Sequence, residues 1–137
     1  MARRSPAAVR AALPLRARPD VTLSVVDGLT ARAVSQIQVL ERSLLGPGSV
    51  ARALAQWKQT VHRRDVSALL EEVVWHGCPC CDPTEAREVL QQALALLEPR
   101  ARRELRAIVE PLDNFFRDRT IQDPQASPEQ PWWHQRA

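Results

Sequence analysis

The chain has no tyrosine and two phenylalanines, and only 4% of it is aromatic. That leaves little of the flat, half-buried side chain that favours sheets, while alanine and leucine supply most of the apolar content and favour helices. Only four glycines occur among 137 residues, and none lies in a phosphate-cradling loop. There is no nucleophile elbow and no H-E-x-x-H pair. The acids Glu71, Glu72, Glu85 and Glu88 read as ordinary helix-face residues. Catalysis is therefore not expected. No apolar run approaches the roughly 20 residues that a membrane span needs. Arg10, Pro14 and Arg16 interrupt the N-terminal stretch where a secretory signal would need continuous hydrophobicity. The default expectation is a cytoplasmic protein with no membrane partner.

Lysine is nearly absent too: Lys58 stands beside 18 arginines, a usage that suggests a GC-rich bacterial genome. The net charge of +3 is unevenly spread. Residues 1–20 carry Arg3, Arg4, Arg10, Arg16 and Arg18 against Asp20, a balance of +4, so the remainder is close to neutral at −1. A uniformly basic nucleic-acid-binding domain is not indicated. The arginine arm is the nucleic-acid candidate, because a chain free to move can follow a phosphate backbone.

What is present is helical periodicity. The expected fold is all-α: a compact bundle of five to six short amphipathic helices with extended N- and C-terminal arms. The division is a basic mobile arm at 1–20, a helical domain at 21–119 and a Pro/Trp-containing tail at 120–137. The alternation Val21-Thr22-Leu23-Ser24-Val25-Val26 has no partner strand and reads as an extended segment on the helices or an edge that pairs with a second chain. The first helix is predicted over 30–45, with Ala33, Ile37, Leu40 and Leu44 as its stripe and Gly46-Pro47-Gly48 as its stop. Ser49 is predicted to cap a second helix striped by Val50, Leu54, Trp57 and Val61, and Asp65 a third that ends at Gly77. Asp82 is read as the N-cap of a fourth helix, with Pro83 in its first position and Glu85 closing a capping box. A fifth begins at Pro99, and Pro111 should kink or break it. The tail 120–137, with prolines at 124, 128 and 131, should lack regular structure.

All three cysteines fall in His76-Gly77-Cys78-Pro79-Cys80-Cys81. Two thiolates at C-x-x-C spacing can face one zinc ion, with His76 as a third ligand and His62 or His134 as a fourth. Cys81 lies beside a predicted helix N-terminus, where a thiol ionises more readily, and Cys78 or Cys80 could resolve it into a disulfide. The plain alternative is three small thiols packed in a turn. Histidine ahead of C-x-x-C resembles zinc-containing anti-sigma factors, small helical cytoplasmic proteins, but the His-to-Cys separation is shorter here than theirs.

Two further features point to a protein partner. Arg100, Arg102, Arg103 and Arg106, with Arg87 nearby, form a basic ridge that reads either as a solvated helix face, with Glu98 and Glu104 placed to pair with it, or as a contact for a phosphate or an acidic partner. Trp132-Trp133 sits in a proline-flanked tail, where the indoles either fold back onto the helices or insert into a partner. The functional expectation is a small non-catalytic interaction or regulatory protein that binds through its helical surface and terminal arms. A zinc-binding or thiol-redox-responsive module at His76–Cys81 is the alternative, as is nucleic-acid binding through the arginine arm.

Overall fold

The computed structural model describes residues 25–76 and 82–137, with the side chains of 73–76 excepted. The expected all-α bundle is the architecture observed: five helices, with no strand among the described residues. They are α1 (Ala31–Leu40), α2 (Ser49–Val61), α3 (Val66–His76), α4 (Glu85–Leu96) and α5 (Pro99–Arg119). No described helix is long and apolar enough to cross a membrane. The centre of the core is the meeting of α2, α4 and α5, where Trp57, Leu90, Leu105 and Phe116 are fully buried. Val26 joins this core from the segment ahead of α1, while its neighbour Val25 faces out.

Helix ends carry most of the departures from expectation. Thr30 caps α1, its hydroxyl accepting from the Ala33 amide. Past Leu40 the helix widens into a π-turn over Glu41–Leu45, where the Gly46 amide donates to the Glu41 carbonyl across five residues. Glu41, four residues after Ile37, keeps the stripe's phase and faces inward, whereas the wider turn beyond it carries Leu44, an expected core residue, out to 68% exposure. The Glu41 carboxylate then accepts from the amides of Gly48 and Val50, at 2.9 and 3.0 Å. It thus caps α2 from another helix. Ser49, the predicted cap, makes no such bond, and Gly48 precedes α2 in the left-handed conformation.

The predicted capping box at α4 is also corrected. Asp82 accepts the amide and hydroxyl of Thr84, at 2.8 and 2.6 Å, so it closes a tight turn one step earlier, and the helix itself starts at Glu85. Asp65 does not cap α3 with its side chain; its carboxylate pairs with Arg63. Pro111 does not break α5, which runs unbroken from Pro99 to Arg119. Pro111 and Ala107, whose carbonyl loses its helical donor, both lie on the exposed side, where water can satisfy that oxygen.

Residues 120–137 are better organised than their prolines suggest. The chain doubles back so that Ile121 and Ala137 exchange both backbone hydrogen bonds at 3.0 Å, and the Asp123 amide donates to the Gln135 carbonyl. Arg136 donates to the Arg117 and Thr120 carbonyls and to the Thr120 hydroxyl, fastening this loop to the end of α5. A single 3₁₀ turn, Trp132–His134, returns the chain to the bundle.

Candidate functional site: an arginine groove walled by the tail

The α4–α5 face is built around one buried carboxylate. Asp113 occupies the apolar stripe of α5, four residues after Val109 and three before Phe116, and its side chain is 8% exposed. Arg87 of α4 approaches it in a two-pronged pairing, Nε to Oδ1 at 2.9 Å and Nη2 to Oδ2 at 3.0 Å. The indole Nε1 of Trp57, on α2, donates to the same Oδ1 at 3.0 Å. Three helices thus share one anion, and its charge is matched by one guanidinium.

The two tail tryptophans close over this pair. The Arg87 guanidinium lies 4.5 Å from the Trp133 ring centre and 5.9 Å from that of Trp132. Arg117 stacks on Trp132 at 3.7 Å. Trp132 meets Trp133 edge to face at 5.8 Å and Phe116 at 6.2 Å. Trp133 is buried, whereas Trp132 keeps part of its surface open. Of the two readings open in the sequence, the indoles fold back.

What they leave open is a groove of about 290 Å³ between α4 and α5, with Trp132 at one end. Along it α5 presents Arg102, Arg106, Glu110, Asp113 and Arg117. Arg87 and Asp113 cancel, so three arginines remain against Glu110, a surplus of +2. Among the described residues no carboxylate pairs with Arg102, Arg106 or Arg117. Arg102 donates Nη2 to the Leu97 carbonyl at 2.8 Å, capping the end of α4, and its Nε is buried with no acceptor among those residues. Of the acids expected to pair with this ridge, Glu104 meets it only at Arg100, whose Nε lies 3.9 Å from Oε1, and neither acid reaches the groove arginines. Glu98 accepts from Gln36, and Glu104 takes the amide and hydroxyl of Thr30. The Thr30 amide holds the Glu104 carboxyl below the usual glutamate range. Arg103 is exposed and is not part of the groove lining.

The structure therefore gathers Arg102, Arg106 and Trp132 of the predicted partner surface into one groove and adds Arg117 and Glu110. Arg87 and Trp133 lie beneath it. The carboxylate that organises it, Asp113, was visible in the sequence only as an acid on an apolar stripe.

A second polar cluster lies where the tail meets the start of α4. Thr84 is 2% exposed, with its hydroxyl 2.6 Å from Asp82 Oδ1 and 3.1 Å from His134 Nδ1. His134 Nε2 in turn faces Glu88 at 3.7 Å. A hydroxyl, an imidazole and a carboxylate in line have the outline of a nucleophile with its base. A carboxylate only accepts, so the single hydroxyl proton goes to Asp82 and His134 Nδ1 must donate to Thr84. The imidazole cannot then take that proton, and the hydroxyl is out of reach of a substrate. The cluster pins the tail.

Other predicted site residues are not brought together. The His62 ring packs against Phe115 at 4.8 Å. Cys78, Cys80 and Cys81, as zinc or redox groups, lie outside the described residues, as does the side chain of His76. The arm arginines Arg3, Arg4, Arg10, Arg16 and Arg18 lie outside them as well. Among the described residues no three His, Cys, Asp or Glu side chains cluster as a metal site. No protein-family model, curated protein or solved structure matches the chain.

Proposed function

We propose that the protein is a small, non-catalytic interaction protein that binds an acidic segment of a protein partner in the α4–α5 groove. The observation that carries this reading is the surplus of guanidinium groups on a face that also shows an open indole. Arginine and tryptophan are both among the residues enriched at binding hot spots. Arginines without carboxylate partners on a groove wall are also arranged to meet carboxylates from outside. The inaccessible Thr84 hydroxyl and the missing catalytic motifs support a role without chemistry. Three cysteines within four residues fit a reducing compartment, and the proposal places the protein in the cytoplasm.

Fluorescence anisotropy with a labelled glutamate-rich decapeptide tests this directly. The native chain should bind, more weakly as salt rises, and Arg106→Glu should lower affinity by about tenfold because it reverses a charge at the groove. Arg106 is exposed and takes no part in the core, so its substitution should leave the melting temperature unchanged. Absence of binding by the native chain, or equal binding by the variant, would refute the proposal.

A further inference from the structure

The charges of the groove alternate along α5 in a way that specifies more than acidity. Arg102 and Arg106 are one turn apart at one end, Glu110 stands in the middle, and Arg117 stacks on Trp132 at the other end. At about 1.5 Å rise per residue, the midpoint of the first pair lies roughly 9 Å from Glu110, and Glu110 roughly 10 Å from Arg117. A complementary partner must therefore present acid, base and acid on one side of its chain, about 9 to 10 Å apart.

Chain geometry narrows the conformation. A β-strand returns a side chain to the same face every second residue, near 7 Å or 13 Å, which misses the interval. An α-helix comes back to one face every seven residues, about 10.5 Å, which overshoots the roughly 9 Å interval at the Arg102/Arg106 end. A polyproline II segment returns to one face every three residues with about 3.1 Å rise, or roughly 9 Å, and aromatic-lined grooves are the usual seat of such segments. Trp132 supplies the aromatic wall, with its 3₁₀ turn opening at Pro131.

We infer that the groove takes a proline-rich partner segment of the pattern acid-x-x-base-x-x-acid, with the central base on Glu110 and the acids at the Arg102/Arg106 and Arg117 ends. This deepens the proposed function and rests on it. Because Glu110 is exposed and no hydrogen bond of the core uses it, its charge can be reversed without touching the hub at Asp113.

The test titrates the native chain and Glu110→Lys with two labelled peptides, Glu-Pro-Pro-Lys-Pro-Pro-Glu and the same peptide with a central glutamate. The native chain should prefer the lysine-centred peptide by about tenfold, and Glu110→Lys should invert the order. A native chain that binds both equally, or prefers the central glutamate, overturns the inference while leaving acid recognition standing. The same holds if Glu110→Lys leaves the ratio unchanged. Failure of the native chain to bind either of these peptides or the glutamate-rich decapeptide would remove the underlying function as well.

Discussion

At the start of α5, Glu104 reaches sideways to Thr30 near the surface, 23% exposed and still in contact with water. Toward the other end of the same helix, Asp113 sits 8% exposed with two donor groups on one oxygen and a guanidinium matched to both. Each carboxylate joins α5 to other elements, yet the physics differs. The surface joint trades hydrogen bonds to water for hydrogen bonds to protein, at small net gain. The buried joint has already given up its water, so each remaining partner is obligatory and removing one strands a charge. Specificity of assembly should therefore reside at Asp113, and tuning at Glu104.

Breaking the buried joint should show the contrast most strongly. Asp113→Ala leaves Arg87 charged beneath the indoles and the Trp57 N–H without an acceptor, and should cost about 3–5 kcal/mol by urea denaturation. A loss below about 1 kcal/mol would mean that water reaches the pair. The Glu41 cap lies between the two extremes, since it is buried but binds only amides. Glu41→Ala should cost about 1–2 kcal/mol, with the opening of α2 the first region to gain hydrogen exchange.

Glu104 should give the smallest effect, and one that depends on pH. Its folded carboxyl is held below the ordinary range, chiefly by the Thr30 amide. The joint is thus fully present above about pH 4.3, the usual glutamate value, and fades as pH falls below it. Thermal melts of Glu104→Gln should lack that part of the acid destabilisation seen in the native chain. Parallel loss in both proteins below pH 4 would assign it to other groups.

The bundle was legible because apolar stripes such as Val50, Trp57, Val61 and Leu90, Ala93, Leu94, Leu97 keep the helical period and are buried as that period requires. The two organising carboxylates were harder to see for one shared reason. Glu41 follows Ile37 by four residues and Asp113 follows Val109 by four, so each occupies a stripe position that a hydrophobicity count passes over in favour of Leu40, Leu44 or Leu112. An acid at a stripe position is the signal, since burial of a charge requires partners. The remote cap on α2 and the closure of the tail depend on contacts between residues far apart in sequence, Glu41 with Val50 and Ile121 with Ala137. Local propensity does not encode such pairs. Proline spacing alone made the tail read as a free arm, whereas the indoles and Arg136 hold it down.

The claim on which the groove stands is that the tail is one of its walls. Thermal unfolding of the full chain beside a chain ending at Gln130 tests it directly. Loss of Trp133 from its buried seat on Arg87 should cost about 3 kcal/mol, lowering the melting temperature by roughly 10 °C. Coincident melting curves for the two chains would contradict it, leaving the tryptophans as a loose appendage.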